Sequence, residues 1–133
     1  MEKREAEMKE LVIEMDKKMS ARSFKYFFET VLGFDYADHH GLWDKGLADN
    51  RYYCVKASRD HGKSVFFMSY ALWLAAFNPG KHIMIFSHSL EQTLEHMRFI
   101  RGNIDTSPCL QELKPGGIPW RKTYFEFTNG SRI

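Results

Sequence analysis

The segment that most constrains the fold is an apolar run of 13 residues, Val65–Phe77, which is interrupted only by Ser69 and Tyr70. A helix needs about 20 apolar residues to span a membrane, so this run predicts a helix that is buried within protein. Residues 1–18 mix acidic and basic side chains and contain no continuous apolar run, which is not the pattern of a signal peptide. We therefore expect a protein without a membrane-spanning segment.

Short apolar runs and turn signals lie on both sides of this helix in a regular order. Tyr52–Val55 and His82–Phe86 are predicted to be strands, the second of the continuous apolar kind found in parallel sheets. Asn78-Pro79-Gly80 marks the intervening turn, and residues 90–104 have the apolar spacing of a further helix. Strand, helix, strand and helix in this order predict an α/β domain with a parallel sheet.

The N-terminal region has a different pattern, in which the apolar residues fall on one helical stripe: Met8, Leu11, Val12, Met15 and Met19. The stripe predicts an amphipathic helix. A second helix is predicted from Ser20 to Gly33, and a loop with a short helix over residues 35–50. We expect residues 1–50 to form a helical lead-in and residues 51–133 to form the α/β portion.

The C-terminal residues predict a β-hairpin. Thr123–Phe127 is rich in aromatic residues and is followed by Asn129-Gly130, a strong turn signal, and then by Arg132-Ile133. Because the sequence stops within the second strand of this hairpin, we expect an incomplete sheet.

The formal net charge of +2 hides an asymmetry between the two halves of the chain. Residues 1–50 hold 8 Lys/Arg against 11 Asp/Glu, whereas residues 51–133 hold 11 against 6. A basic C-terminal half suits a partner that carries phosphate, but the excess is too small to establish nucleic-acid binding. Cys54 and Cys109 match no metal or redox spacing, so we expect reduced thiols in an intracellular protein.

The loop before the apolar helix carries the motif with the clearest chemistry. Ala57-Ser58-Arg59-Asp60-His61-Gly62-Lys63-Ser64 matches the phosphate-loop pattern G-x-x-x-x-G-K-[ST] except at its first position, where Ala replaces Gly. In such a loop, backbone N–H groups and a helix N-terminus converge on phosphate. Gly62 lets the backbone approach closely. Lys63 is expected to reach the β- and γ-phosphates, and Ser64 to ligate Mg²⁺.

Arg59 places a second cation inside this loop. It can face the γ-phosphate as a cis-acting arginine, which would make Arg59 and Lys63 the catalytic residues. The alternative is an exposed ion pair with Asp60, while His61 is expected to fill space. The expected nucleotide-binding set is Ser58, Arg59, Asp60, His61, Gly62, Lys63 and Ser64.

An Arg within the motif Ser-Arg-x-x-Gly-Lys-Ser resembles the variant phosphate loop of the large terminase subunits of tailed bacteriophages, the motors that package DNA. The flanking segments are similar to that family as well, over residues 23–33, 39–47, 83–89, 100–101 and 125–133. The phosphate loop is the specific part of the resemblance.

The resemblance implies a P-loop NTPase fold of the RecA-like type, in which a parallel sheet has helices on its faces. It also implies ATP and Mg²⁺ as cofactors, with ATP hydrolysis in the complete protein driving double-stranded DNA into the capsid. The implied partners are double-stranded DNA, the portal protein, the small terminase subunit and further copies of the chain in a homo-oligomeric ring. The implied location is the host cell cytoplasm, with no membrane.

A hydrolysing ATPase of this kind also needs an apolar strand that ends in Asp, usually followed by Glu. Neither the predicted strand over 82–86 nor that over 123–127 ends in Asp or Glu. We therefore expect this chain alone to bind nucleotide weakly or not at all, and not to hydrolyse ATP. The rival hypothesis is a non-hydrolysing nucleotide-binding or assembly module. A small nucleotide kinase fits less well, because no acceptor-site or lid residues are evident.

Weaker patterns have structural explanations beside functional ones. Asp38-His39-His40 with Asp44 lacks a further spaced metal ligand, and the resemblance places this segment near the adenine. Ser87-His88-Ser89 contains a possible nucleophile next to a possible base, but neighbouring residues do not readily form the hydrogen bond that a catalytic pair needs. The aromatic residues of the apolar helix are expected in the core: Phe66, Phe67, Trp73 and Phe77. The later cations either face DNA or form a solvated surface: Arg98, Arg101, Lys114, Arg121, Lys122 and Arg132.

Overall fold

The computed structural model describes residues 1–58, 62–114 and 124–133. Helix accounts for 65% of these residues. Five α-helices follow one another along the chain: α1 Glu2–Arg22, α2 Phe24–Tyr26, α3 Asp38–Asp49, α4 Lys63–Phe77 and α5 Leu90–Thr106. A π-helical turn, Phe27–Val31, continues α2, and a 3₁₀-helix, Pro108–Leu113, follows α5. No helix within the described ranges is both long and apolar enough to cross a membrane.

The prediction of a parallel sheet of the P-loop NTPase type is wrong. Within the described residues no β-strand forms, and pairing takes the form of isolated bridges, among them those of Arg132 with His82 and Glu126. The segment over 82–86 is extended and makes a parallel bridge from His82, but the side chains of Met84 and Phe86 are 77% and 84% exposed. Ile83 and Ile85 pack against the core, but a sheet needs several paired strands, and the described part of the chain supplies none.

The C-terminal residues form a turn rather than a strand pair. Phe125 and Ile133 exchange two backbone hydrogen bonds of 2.9 and 3.0 Å around a turn in which Gly130 has a φ of +84°. The Asn129 side chain donates to the carbonyl of Ala75 at 2.8 Å, which fixes the turn to the C-terminal end of α4. The predicted reversal at Asn129-Gly130 is therefore present, but the pairing stops at a single antiparallel bridge.

Helix α4 is the centre of the core, as the apolar run predicts. Phe66, Leu72 and Ala75 are completely buried, and the helix contributes buried residues from several sides. The α2 region and α5 supply the rest of the main packing surface: Phe24, Phe27, Phe28, Met97, Ile100 and Ile104. Such an all-round apolar helix is stable only inside protein.

The Phe66 ring lies where three helices meet. Its centroid is 5.2 Å from the Phe24 ring of α2 in an edge-to-face arrangement, and 5.3 Å from the Trp43 and His40 rings of α3. Edge-to-face and offset-stacked contacts of this kind stabilise by about 0.5–1.5 kcal/mol per pair beyond the burial of area. The N-terminal turn of α4 is thereby fixed to both preceding helices.

Helix α1 forms as predicted, but it does not bury its apolar stripe. Ile13 packs against the core, and two hydrogen bonds add to this contact: the Tyr26 hydroxyl donates to the Asp16 carboxylate at 2.6 Å, and the Trp73 indole donates to the Ser20 carbonyl at 2.6 Å. The Lys17 ammonium pairs with a Glu112 carboxylate oxygen at 2.8 Å. The side of α1 that faces the body is therefore set by Ile13 and these polar contacts.

Replacing Phe66 with Ala should lower the free energy of unfolding by about 3–5 kcal/mol, because the change removes a completely buried ring and leaves a cavity. Phe86→Ala is the matched control, since that ring is 84% exposed and its loss should change stability by about 0.5 kcal/mol or less. Urea unfolding followed by far-ultraviolet circular dichroism measures both. Equal losses would contradict the assigned core.

The two thiols should differ in reactivity. Burial raises the pKa of Cys109 to about 11, with Asp16 adding to the effect, whereas Cys54 is exposed. Because the thiolate is the reactive form, Ellman's reagent at pH 8 should label Cys54 in the native protein and both thiols after unfolding. Cys54→Ser should remove the native reaction. Fast labelling of both thiols in the folded protein would contradict the burial of Cys109.

Candidate functional site

The candidate site is the loop that precedes α4 together with the first turn of that helix. Gly62 is the residue before the helix and has a φ of +71°, a left-handed conformation that glycine adopts without a side-chain penalty. Its carbonyl accepts the Phe66 N–H at 2.9 Å, so the helix begins at once with Lys63. The first backbone N–H groups of α4 have no partner within the helix and point toward the loop.

The Lys63 side chain closes this loop. Its ammonium Nζ donates a hydrogen bond of 2.7 Å to the carbonyl of Ala57, six residues earlier. The side chain is half-buried, whereas Gly62 and Ser64 on either side of it are exposed. A cation is therefore held at the opening of the loop, next to the positive end of the α4 dipole.

The structure places four of the seven predicted nucleotide-binding residues, and Arg59, Asp60 and His61 lie outside the described residues. The Lys63 ammonium is hydrogen-bonded to the carbonyl of Ala57, the residue that precedes Ser58, and its contact with phosphate stays a prediction. Ser64 lies in the first turn of α4 and is exposed. The predicted catalytic role of Arg59 and the predicted Mg²⁺ contact of Ser64 stay predictions.

His40 of α3 lies beside Gly62, in the segment that the family resemblance places near the adenine. A Cβ atom on Gly62 would lie 3.6 Å from the His40 Nε2 atom. The other ring nitrogen, Nδ1, accepts the Ala37 N–H at 3.0 Å, so a neutral ring carries its proton on Nε2, facing Gly62. The ring is buried and stacks on Phe66 at 5.3 Å with an angle of 14° between the planes.

Among the other candidate metal ligands on α3, Asp44 is hydrogen-bonded to Tyr36, which precedes the helix. The Tyr36 hydroxyl donates to Asp44 Oδ2 at 3.1 Å. Burial raises the pKa of Asp44, and the hydrogen bond from Tyr36 lowers it in part. Burial also raises the pKa of Tyr36, and the negative charge of Asp44 adds to that rise. In the described ranges, no group of three or more His, Cys, Asp or Glu side chains can hold a metal.

The serine and histidine residues near α5 have structural roles. The Ser87 hydroxyl lies 3.2 Å from His96 Nδ1, which ties the extended segment to the helix. The Ser89 side chain accepts the Gln92 N–H at 3.2 Å and caps the start of α5. Adjacent Ser87 and His88 do not form the pair, since His88 Nδ1 contacts the Gln92 side chain at 3.0 Å.

Most of the described cations of the predicted DNA-facing set pair with acids. Arg101 and Lys114 both pair with Asp105, the first at 3.9 Å, and Arg132 pairs with Glu126 at 3.6 Å. Arg121 and Lys122 lie outside the described residues. Exposed ion pairs of this kind contribute little to stability and favour a solvated surface over a dedicated phosphate-binding patch.

Comparison with known proteins adds no family assignment: neither a protein-family model nor a curated protein matches the chain.

Replacing Gly62 with Ala should lower the free energy of unfolding by about 1–2 kcal/mol, because a Cβ is strained at a φ of +71°. The nearest atom, His40 Nε2 at 3.6 Å, is at an ordinary contact distance, so the cost is conformational. Gly102→Ala in α5 is the control, and it should raise stability by about 0.5–1 kcal/mol because a Cβ there meets open space. Thermal unfolding measures both. Stabilisation by Gly62→Ala would contradict the left-handed helix start.

Proposed function

We propose that this chain supplies the phosphate-binding segment of an ATP-driven DNA-packaging motor of the large terminase kind. In this proposal, the loop over residues 57–62 and the first turn of α4 bind the phosphates of ATP together with Mg²⁺. The observation that carries the proposal is the hydrogen bond from the Lys63 ammonium to the Ala57 carbonyl, which holds a cation across the loop opening.

The chemistry of this opening suits a phosphate group. An ammonium has three donors, of which Ala57 takes one, so the Lys63 side chain can donate to phosphate oxygens as well. The N–H groups at the start of α4 supply further donors, and the helix dipole adds about half a positive charge there. Gly62 leaves room beside these donors, and the Nε2 side of His40 lies next to it.

Magnesium would be held mainly by the phosphates. Mg²⁺ keeps several water ligands in nucleotide sites and takes few from protein, so one hydroxyl, that of Ser64, fits this role. Within the described part of the chain no acidic cluster accompanies it. We therefore propose that this chain binds ATP and Mg²⁺. ATP hydrolysis would take place only where carboxylates are supplied to the site. Arg59 would face the γ-phosphate.

The proposal does not depend on a parallel sheet. The loop is fixed at one end by the hydrogen bond between Lys63 and Ala57, and at the other by α4, whose first turn is fixed through Phe66. The assignment to a packaging motor, with double-stranded DNA, a portal protein and a small terminase subunit as partners, is supported by the sequence resemblance of the loop.

Lys63→Ala should weaken binding of a fluorescent ATP analogue by about 10-fold or more, because it removes a charged donor to phosphate. Lys56→Ala is the matched control, because Lys56 is an exposed lysine next to Ala57. The hydrogen bond to the Ala57 carbonyl is made by Lys63. Equilibrium titration with and without Mg²⁺ measures the effect. Ser64→Ala should reduce the gain in ATP-analogue affinity that Mg²⁺ gives. It should change the affinity measured without Mg²⁺ less.

Two outcomes would overturn the proposed function. A folded wild-type protein that binds no ATP analogue would leave the loop as scaffold and favour the assembly-module hypothesis. Equal loss of binding in Lys56→Ala and Lys63→Ala would show that general positive charge, rather than the loop geometry, accounts for the affinity. Circular dichroism of each variant confirms that it is folded before binding is compared.

A further inference from the structure

The N-terminal helix exposes a line of apolar side chains. The exposed fractions are 66% for Met8, 65% for Leu11, 52% for Val12, 56% for Met15 and 43% for Met19. Met8 and Met15 are seven residues apart, as are Val12 and Met19, so the line runs nearly parallel to the helix axis. This geometry is that of the seam between two paired helices.

The centre of this apolar line is separate from the side of α1 that makes hydrogen bonds to the body, although Met8 and Val12 also line a groove that α1 shares with Val31 and Cys109. Asp16 and Ser20 make the hydrogen bonds to the body, and at about 100° per residue they lie roughly a third of a turn around the helix from the centre of the line. Residues 1–12 are all exposed. A helical stretch of this length without packing is marginal in water, so its apolar side is available to a partner.

The charges along α1 are segregated. Residues 5–16 carry five acids and one base, a net charge of −4, whereas residues 17–22 carry three bases and no acid, a net charge of +3. Two copies of the helix that run in opposite directions would bring each acidic stretch against the basic end of the other. Two copies that run in the same direction would bring like charges together, which is unfavourable.

We propose that the apolar line on α1 is a homodimer interface in which two copies of the helix pack antiparallel. With the middle of the line on the twofold axis, Met8 of one copy lies opposite Met19 of the other. Glu7 is then beside Lys18 of the second copy, and Glu5 is near its Arg22. The pairing is isologous, so it closes at two subunits, and it does not depend on the proposed nucleotide binding.

A second copy suits this surface better than a membrane does. Helices that lie on membranes are rich in Lys and Arg on their polar side and bind anionic lipids. Helix α1 has six acidic and six basic residues and therefore no net charge. Glu7 and Glu14 also lie close to one edge of the apolar line, where they would face the lipid headgroups.

The first test is the oligomeric state of the full chain. Sedimentation equilibrium at about 50 µM, a concentration suited to a dimer of micromolar affinity, should show a dimer for the wild type. Leu11→Lys combined with Met15→Lys should give a monomer. Leu42→Lys is the matched control, since Leu42 is a 69% exposed leucine on α3, and it should leave the dimer intact. Circular dichroism should show that all variants keep their helix content.

The second test is the direction of the pair. In a Cys54→Ser background, mild air oxidation should cross-link the double variant Met8→Cys with Met19→Cys but not Met8→Cys alone. Cross-linking of Met8→Cys alone would show a parallel pair and overturn the proposed arrangement. A monomeric wild type, or equal dissociation in Leu42→Lys, would overturn the interface. So would a monomer that binds anionic vesicles through Leu11, since the occupant would then be a membrane.

Discussion

The packing of Phe66 between α2, α3 and α4 is the interaction on which the rest of the structure depends. Its ring contacts Phe24 on one side and His40 and Trp43 on the other, so one buried side chain joins three helices. Phe66 also lies in the first turn of α4, three residues after Lys63. The burial that holds the helices together therefore also sets how the candidate phosphate loop meets the helix.

Helices were predictable from the sequence where the pattern and the packing agree. Helix α4 supplies six buried residues, and the spacing in α5 matches its buried residues Met97, Ile100 and Ile104. The sheet was not predictable, because an apolar extended run says nothing about what pairs with it. In the described part of the chain, the segment over 82–86 pairs through an isolated parallel bridge between His82 and Arg132, and Phe86 is exposed.

The features of α1 and of the candidate site differ in how far they were predictable from the sequence. The stripe on α1 correctly predicts a helix, but the contacts of Asp16 and Ser20 decide which side faces the body. The left-handed turn at Gly62 was predictable from the residue type, whereas the phosphate contact expected of Lys63 stays a prediction. The family resemblance pointed to the segment that contains His40, but the position of His40 beside Gly62 depends on tertiary packing, which spacing along the chain does not show.

The two proposed surfaces lie at different ends of α4. The candidate phosphate loop is at its N-terminal end, whereas α1 is attached through Trp73, ten residues further along and about 15 Å away at the rise of an α-helix. The centre of the apolar line on α1 lies roughly a third of a turn around the helix from the contacts of Asp16 and Ser20 with the body. A second copy on that line would therefore leave the loop open to nucleotide. Loss of dimerisation and loss of phosphate binding should then be separable by mutation, because no side chain belongs to both surfaces.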